Sequence, residues 1–371
     1  MSFENSYIKD IEPYKLASHK VWDEISNEGI LKLDWNEATI PASPEVKKRI
    51  LETIEKIGFR YYPNVKNLEL ISSIAKYTQV NTANVQYFPS SDTAHEYIAS
   101  VFLSINDRVL ILGPTYDNFR LACQAKGSEI IYANCYDDDF NLQNDLYIRQ
   151  IEQVKPKLAY ICNPNNPTGS KIEREYIAYL LERFPDILFV IDEAYIEFSV
   201  DSCSTLLAKY QNMIVSRTFS KAFALANFRI GYLLASEVII DVINKIRNAK
   251  NVTTLSQEAA IGALMDFDYT RSYIDEVVLA RDFFRDEINS KFKGLLFAYE
   301  SSGNFTLIKC NSSYLKQRLI VGLEERDIFV RNLAHKGLSE LYVRITIGTR
   351  GQMRRVIDAI TDVINHGDLN V

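Results

Sequence analysis

Residues 216–225, Ser-Arg-Thr-Phe-Ser-Lys-Ala-Phe-Ala-Leu, place one lysine among hydroxyl groups, and Arg229 follows shortly after. An apolar run at residues 213–215 precedes them, and this order predicts a strand, a polar turn and a helix. At the end of a strand, the amine of Lys221 can form a Schiff base, whereas the hydroxyls and the guanidinium suit a phosphate. Because most lysines are simply solvated, this interpretation needs support from the rest of the chain.

Three other polar segments follow apolar runs of the kind that form buried strands. Residues 163–169 (Asn-Pro-Asn-Asn-Pro-Thr-Gly), 192–195 (Asp-Glu-Ala-Tyr) and 113–116 (Gly-Pro-Thr-Tyr) each come directly after such a run. Continuous apolar runs are typical of parallel strands buried on both faces, and open α/β sheets bind ligands at the carboxyl ends of their strands. The four segments therefore predict a site that combines an amine, a carboxylate, an amide and a phenol.

With these motifs, the chain resembles the fold-type I, pyridoxal-phosphate-dependent aminotransferases of class I/II, and most of all the histidinol-phosphate aminotransferase family. The similarity extends from Ile-Glu-Pro-Tyr at residues 11–14 to Arg-Ile-Thr-Ile-Gly-Thr at residues 344–349. Alternating strand and helix patterns between about residues 85 and 265 predict an α/β fold with a mostly parallel sheet. The resemblance implies a large domain with a seven-stranded sheet (residues 40–270). It also implies a small α+β domain (residues 1–39 and 271–371) that closes over the active site.

The resemblance implies pyridoxal 5'-phosphate as the cofactor, and it gives a role to each motif. Lys221 is the residue that would bind the cofactor covalently and later move the proton of the substrate Cα. Asp192 would pair with the pyridine nitrogen, Tyr116 would stack on the ring as a further catalytic residue, and Asn166 and Tyr195 would donate to the phenolic oxygen. The phosphate would be held by a helix start, by hydroxyls and by a tyrosine of the neighbouring subunit. These residues are Ser91, Asp92, Thr93, Thr218, Ser220, Arg229 and Tyr62.

The same resemblance implies how a substrate would bind. Arg344 matches the arginine that grips the α-carboxylate, and Arg331 matches a position associated with a distal phosphate. Tyr14 resembles a residue near that phosphate, and Asn36 belongs to an Asn-Glu pair at the site entrance. We therefore expect a homodimer with shared active sites, L-glutamate as the amino donor and a small phosphorylated substrate.

Several departures from the family pattern leave the substrate open. Lys250 stands where an aromatic ring is usual, and Asn227 replaces a glycine. Histidinol phosphate is one candidate, and a phosphorylated three-carbon amine or ketone is another. A decarboxylase of a phosphorylated amino acid is the nearest alternative activity, because such enzymes share the cofactor residues. A non-catalytic ligand-sensing module on the same fold is a more remote alternative.

Composition excludes several other classes of protein. The 371 residues are 47% hydrophobic, enough for a large core, and the net charge of −6 argues against nucleic acid or an acidic membrane as a partner. No apolar run approaches the ~20 residues of a membrane span. The five cysteines are scattered without metal-ligand spacing, which predicts reduced thiols and a cytoplasmic location. The four histidines form no cluster, so we expect no metal site and place each histidine at the surface or at a cap.

Overall fold

The computed structural model describes residues 3–9, 11, 29–333 and 338–365. Its twelve strands, β1 to β12, are in order Leu31–Leu33, Val85–Phe88, Arg108–Gly113, Glu129–Asn134, Leu158–Cys162, Leu188–Asp192, Met213–Thr218, Gly231–Ala235, Leu296–Ala298, Phe305–Cys310, Ile328–Asn332 and Tyr342–Thr346. Its eleven α-helices, α1 to α11, are Pro44–Lys56, Leu68–Thr78, Ser91–Phe102, Asn118–Gln124, Asn144–Val154, Arg174–Arg183, Glu237–Asn244, Thr254–Met265, Phe267–Lys291, Ser313–Glu324 and Arg350–Asn365. These counts refer to the described residues alone.

The larger sheet has seven strands in the order β2-β8-β7-β6-β5-β3-β4. Strand β8 pairs antiparallel with both of its neighbours, and the other pairs are parallel. Every residue of β5 and β7 is buried, because helices cover both faces of the sheet. The predicted α/β fold with a mostly parallel sheet is confirmed.

A second, five-stranded sheet has the order β1-β11-β12-β10-β9. Strand β1, from the N-terminal part of the chain, pairs in parallel with β11, and the remaining pairs are antiparallel. The proposed division into a large and a small domain stays a prediction. Its boundary after residue 270 falls inside α9, which runs from Phe267 to Lys291.

The segment after Lys221 differs from the predicted helix. The structure has only a 3₁₀ turn, Ala226–Phe228, between β7 and β8. Ala224 and Arg229 adopt positive φ angles of 57° and 47°, which interrupt any regular helix. The physical reason is the topology: β8 returns antiparallel beside β7, so the connection must reverse direction within a dozen residues. The apolar residues of this segment instead pack into the core, as Phe223 and Leu225 do.

Within the described residues, every helix is too short or too polar to span a bilayer. All five cysteines are buried and none forms a disulfide.

Candidate active site

A cavity of about 880 Å³ lies where the predicted strand ends meet. Its walls include Tyr116 after β3, Asn166 after β5, Asp192 at the end of β6 and Lys221 after β7. Strand order reverses between β3 and β5, since β4 lies beyond β3 while β6 and β7 lie beyond β5. Such a switch point opens a crevice at the carboxyl ends of the strands, which explains why the four motifs converge.

The amine of Lys221 is held inside this cavity by a single hydrogen bond. Its Nζ atom donates to the backbone carbonyl of Trp35 at 2.8 Å. Burial, reinforced by the positive charge of Arg344, lowers the pKa of Lys221 from 10.5 to about 8. A substantial fraction of this amine is therefore neutral near pH 8, and the neutral form is the nucleophile that attacks a carbonyl carbon.

The carboxylate of Asp192 is buried, with 2% of the residue exposed. The Oδ2 atom accepts a hydrogen bond from Tyr160 Oη at 2.7 Å, and Oδ1 accepts one from the backbone N–H of Ala194 at 3.1 Å. Within the described chain, no lysine or arginine forms an ion pair with this carboxylate; the nearest basic nitrogen is Nε2 of His95, 3.9 Å from Oδ2. Asp192 can thus serve as the counterion of a cationic ring nitrogen in the cavity.

Asn166 and Tyr195 meet on the neighbouring wall. Asn166 Nδ2 donates to Tyr195 Oη at 3.1 Å, and Asn166 Oδ1 accepts from Arg344 at 2.6 Å. Burial raises the pKa of the Tyr195 phenol above its ordinary value, so the phenol stays protonated and can donate. Asn36 Nδ2 also donates to Tyr195 Oη, at 3.1 Å, and so fixes the position of that phenol.

Hydroxyls, a helix start and a guanidinium form a second cluster suited to an anion. Helix α3 begins at Ser91, and the Ser90 side chain caps it by accepting from the Thr93 N–H at 3.1 Å. Strand β8 lies so close to this helix start that a Cβ at Gly231 would come within 2.6 Å of Ser91 N. Thr218, the register partner of Gly231, is thereby placed beside the free N–H groups of α3. Ser91, Thr218, Ser220 and Arg229 all line this end of the cavity.

Two arginines stand side by side on the second sheet. Arg331 on β11 and Arg344 on β12 are register partners in an antiparallel pair, so their side chains project from the same face of the sheet. Both line the cavity. Arg344 is 7% exposed and donates to Asn166 Oδ1 and to the backbone carbonyl of Asp34, both at 2.6 Å.

The structure brings most of the predicted site residues together, but not all of them. Thr93 and Asn36 do not line the cavity; Thr93 stands behind the helix start, and Asn36 is fully buried behind Tyr195. Tyr62 is 78% exposed and lies outside the cavity of its own chain. Tyr14 lies outside the described residues.

Part of the cavity wall, formed by β1 and the residues after it, was not predicted from the sequence. Lys32 lines the cavity, with its Nζ atom 2.9 Å from Asp34 Oδ1 and 2.5 Å from Glu37 Oε2. The same Nζ atom lies 4.1 Å from the ring centroid of Trp35. A short strand far from the motifs in sequence gives no local signal that it borders them.

The surface position predicted for His95 is wrong. This histidine lies on α3 and is 1% exposed. Its Nε2 atom is 2.9 Å from Ser216 Oγ, behind Asp192. The other three histidines lie outside the described residues. One face of helix α3 packs against the sheet, and His95 lies on that face.

Comparisons with known proteins identify the family. The family model "Aminotransferase class I and II" matches residues 28–360. The chain is 45% identical over 361 residues to the dihydroxyacetone phosphate transaminase of Campylobacter jejuni, covering 96% of each protein. It is 32% identical over 355 residues to the histidinol-phosphate aminotransferase of Clostridium novyi, covering 95% of each. The solved histidinol-phosphate aminotransferase of Sinorhizobium meliloti, in complex with pyridoxal 5'-phosphate, superposes with a TM-score of 0.86 at 22% identity over 98% of each chain.

The chain belongs to the class I and II aminotransferases. It is a pyridoxal-phosphate-dependent transaminase, and the predictions of enzyme class and cofactor are confirmed.

The residues of the cavity fit that cofactor. The Ser220 Oγ atom is buried and has no hydrogen-bond partner among the described residues, so it is available to a phosphate at the start of α3. Among the described residues, the Asp192 carboxylate has no lysine or arginine partner and is thus available to a pyridinium nitrogen. The Lys221 amine has a lowered pKa, which favours attack on an aldehyde.

Proposed function

We propose that this transaminase moves an amino group between L-glutamate and a small phosphorylated ketone or amine, with a three-carbon compound of the dihydroxyacetone phosphate type as the first candidate. The arginine pair Arg331 and Arg344 is the observation that carries this proposal. Two guanidinium groups on one wall of the cavity suit two successive substrates that each carry an anionic group. The 45% identical relative, a dihydroxyacetone phosphate transaminase, supports the choice of candidate.

The two arginines differ in a way that suggests separate tasks. Arg344 is buried and anchored to Asn166 and to the Asp34 carbonyl, so its guanidinium has one fixed position next to the reacting end of the cavity. Arg331 is less buried and stands one strand farther out. We assign the α-carboxylate of glutamate to Arg344. The phosphate of the acceptor, the more distant anion, is assigned to Arg331.

The chemistry divides between the cofactor and the chain. Pyridoxal phosphate, when bound, supplies an electron sink for the pair of electrons left at the substrate Cα. Lys221 would hold the cofactor and, once displaced by substrate, move a proton from and to that carbon. Asp192 would keep the ring nitrogen protonated, and Asn166 and Tyr195 would donate to the phenolic oxygen. Tyr116, whose hydroxyl donates to Asp92 Oδ1 at 3.1 Å, would lie against the ring.

We further propose a homodimer whose active sites are shared. Three neighbouring aromatic residues are exposed to solvent: Phe59 at 73%, Tyr61 at 66% and Tyr62 at 78%. Exposed apolar surface of this kind often marks an interface. The ammonium of Lys250 lies 4.6 Å from the centroid of the Tyr62 ring. We assign Tyr62 to the phosphate of a second copy rather than to that of its own chain, and its exposure supports this assignment. The buried, unpaired cysteines support the proposal of a cytoplasmic location.

Steady-state kinetics with defined acceptors tests this function. The purified holoenzyme is supplied with L-glutamate and, in parallel, with dihydroxyacetone phosphate or with unphosphorylated dihydroxyacetone, and 2-oxoglutarate is measured. Histidinol phosphate with 2-oxoglutarate is assayed in the reverse direction. We expect the largest kcat/KM for the phosphorylated three-carbon ketone. A larger value for histidinol phosphate would reassign the substrate, and release of CO₂ from a phosphorylated amino acid would replace transamination by the decarboxylase alternative.

A further inference from the structure

We propose that Tyr160 is a positioning residue which, together with His95 and Ser216, holds the Asp192 carboxylate so that the cofactor's ring nitrogen keeps its proton. The inference rests on the role proposed above for Asp192. It concerns residues on the far side of that carboxylate, which do not line the cavity.

The sheet itself brings these residues together. Asp192 on β6 is the register partner of Ser216 on β7 and of Cys162 on β5. Side chains alternate along a strand, so Tyr160, two residues before Cys162, projects from the same face as Asp192 and Ser216. Helices α3 and α4 pack on this face and contribute His95 and Phe119. Four elements thus converge behind one carboxylate.

Tyr160 makes a shorter hydrogen bond to Asp192 than the backbone N–H of Ala194 does. Its hydroxyl donates to Oδ2 at 2.7 Å, and the residue is fully buried. Burial and the neighbouring carboxylate raise the pKa of this phenol well above its ordinary value, so the phenol remains a donor. A hydrogen bond donated to a carboxylate favours its charged form, and without it a buried carboxylate would gain affinity for a proton. With the cofactor bound, that proton would come from the ring nitrogen that we assign to Asp192.

The Tyr160 ring is itself fixed by its neighbours. Phe119 stacks on it with ring centroids 4.3 Å apart and an interplanar angle of 11°, and the His95 ring meets it edge-on at 5.8 Å. Close packing on two sides leaves the phenol one rotamer. Its hydroxyl therefore points permanently at Asp192 Oδ2, and the Asp192 side chain is held in the orientation that faces the cavity.

His95 adds a second polar contact on the same side. Its Nε2 atom lies 2.9 Å from Ser216 Oγ and 3.9 Å from Asp192 Oδ2, and Nδ1 has no partner among the described residues. A buried N–H without a partner is costly, so we place an N–H group at Nε2, which has Ser216 Oγ as its partner. The positive end of that N–H group then points toward Ser216 and the Asp192 carboxylate, where it favours the charged form.

The test is the protonation of the ring nitrogen in the Tyr160→Phe holoenzyme, loaded with cofactor labelled with ¹⁵N at that nitrogen. Phenylalanine keeps the ring stacked on Phe119 and removes only the hydroxyl. Tyr147→Phe is the matched control, because Tyr147 is equally buried and its hydroxyl has no partner among the described residues. We expect the ¹⁵N resonance of Tyr160→Phe to move from the protonated toward the unprotonated position. We also expect kcat to fall about tenfold with little change in KM, the loss typical of one hydrogen bond to a charged group. The control should match the unmodified enzyme.

The outcomes separate this inference from the proposed function. If the ring nitrogen is protonated in the unmodified enzyme and also in Tyr160→Phe, the role of Tyr160 is wrong, while the role of Asp192 is still supported. An unprotonated nitrogen in the unmodified enzyme overturns both. If Tyr160→Phe does not fold, His95→Phe is measured instead. This variant removes the Nε2–H group, so its ¹⁵N resonance should also move toward the unprotonated position. An unchanged resonance would contradict the inference.

Discussion

Lys221 shows at the scale of one residue how the fold prepares a reactive group. The side chain emerges from the end of a fully buried strand into a cavity that also contains the positive charge of Arg344. Burial and that charge both disfavour the ammonium form. Sequence motifs predicted which lysine would react, whereas the Trp35 carbonyl that holds its amine comes from a segment 186 residues away and was not predictable.

The lowered pKa of Lys221 predicts the pH dependence of cofactor capture by the apoprotein. The neutral amine is the nucleophile, so the capture rate should rise with pH, reach half its maximum near pH 8 and level off above it. Stopped-flow absorbance, with borohydride trapping and mass spectrometry to locate the adduct, measures this. Lys221→Ala should give no adduct at all. A rate that is still rising steeply near the ordinary lysine pKa of 10.5 would contradict the environment described for this amine.

The same shift makes a thermodynamic prediction whose sign follows from proton linkage. Between about pH 8 and pH 10.5 the unfolded apoprotein binds a proton at Lys221 that the folded apoprotein has released. The free energy of unfolding should therefore increase with pH across this window relative to that of Lys221→Met, which has no proton to bind. Urea unfolding of both apoproteins at several pH values measures the difference. A difference that is constant with pH would show that folding does not shift this pKa.

Arg331 makes a prediction about substrate discrimination. Arg331→Ala should lower kcat/KM for the phosphorylated acceptor by about 10- to 100-fold, the loss expected for a charge-assisted hydrogen bond, and affect glutamate much less. Arg271→Ala serves as the control for loss of one positive charge, because the Arg271 side chain is exposed, lies 3.9 Å from Asp268 and 5.3 Å from the Phe267 ring centroid, and does not line the cavity. An equal loss for both substrates would remove Arg331 from the phosphate.

At the scale of elements, the contact between β8 and the start of α3 positions the cluster suited to an anion, which contains Ser91 and Thr218. Strands β5, β6 and β7 were predictable because continuous apolar runs carry a strong signal. The helix expected after Lys221 was not formed, since the antiparallel return of β8 requires a tight reversal that local propensity does not reveal. Likewise, the close approach of Gly231 to Ser91 joins residues 140 positions apart and could be found only in the folded chain.

Gly231→Ala tests that contact. The added Cβ would meet Ser91 N at 2.6 Å, the Arg217 carbonyl oxygen at 2.7 Å and the carbonyl carbon of Ser90 at 2.9 Å, so the helix start and β7 must move apart around β8, which displaces the helix start from Thr218. We expect weaker cofactor binding, by about tenfold or more, and a loss of stability of about 1–3 kcal/mol. Gly351→Ala is the control, because its nearest neighbouring atom lies 3.9 Å away. Cofactor titration and thermal unfolding of both apoproteins measure the two effects, and unchanged cofactor affinity in Gly231→Ala would refute the account of the cluster.

At the scale of the whole molecule, the two sheets meet at one cavity, and the proposed homodimer would bring a second copy of the chain to it. The second sheet supplies both arginines, and β1 joins it although that strand lies far from β11 in sequence. The α+β pattern of this region was predictable from its alternating segments. The pairing of β1 was not, because a three-residue strand has too little pattern to specify its partner.

Mixing an inactive variant with one that binds cofactor weakly tests the proposed shared active site. In a heterodimer of Lys221→Ala with Tyr62→Phe, one site combines an intact Lys221 with the intact Tyr62 of the other copy. If Tyr62 binds the phosphate in the active site of the other copy, the two variants refolded together should bind cofactor more tightly at that site than Tyr62→Phe does alone. The mixture should also show more activity per intact Lys221. If Tyr62 acts within its own chain, the mixture should show only the average of the two parents.

A single-turnover measurement of the two half-reactions tests whether L-glutamate and dihydroxyacetone phosphate are the two substrates of this transaminase. Cofactor-loaded enzyme is mixed with L-glutamate without an acceptor, freed of excess glutamate, and then mixed with dihydroxyacetone phosphate. We expect one equivalent of 2-oxoglutarate per active site in the first step, and in the second one equivalent of the amine formed from dihydroxyacetone phosphate, with recovery of the starting absorption spectrum. Release of no 2-oxoglutarate would contradict glutamate as the donor, and a first step without the second would contradict the phosphorylated three-carbon ketone as the acceptor.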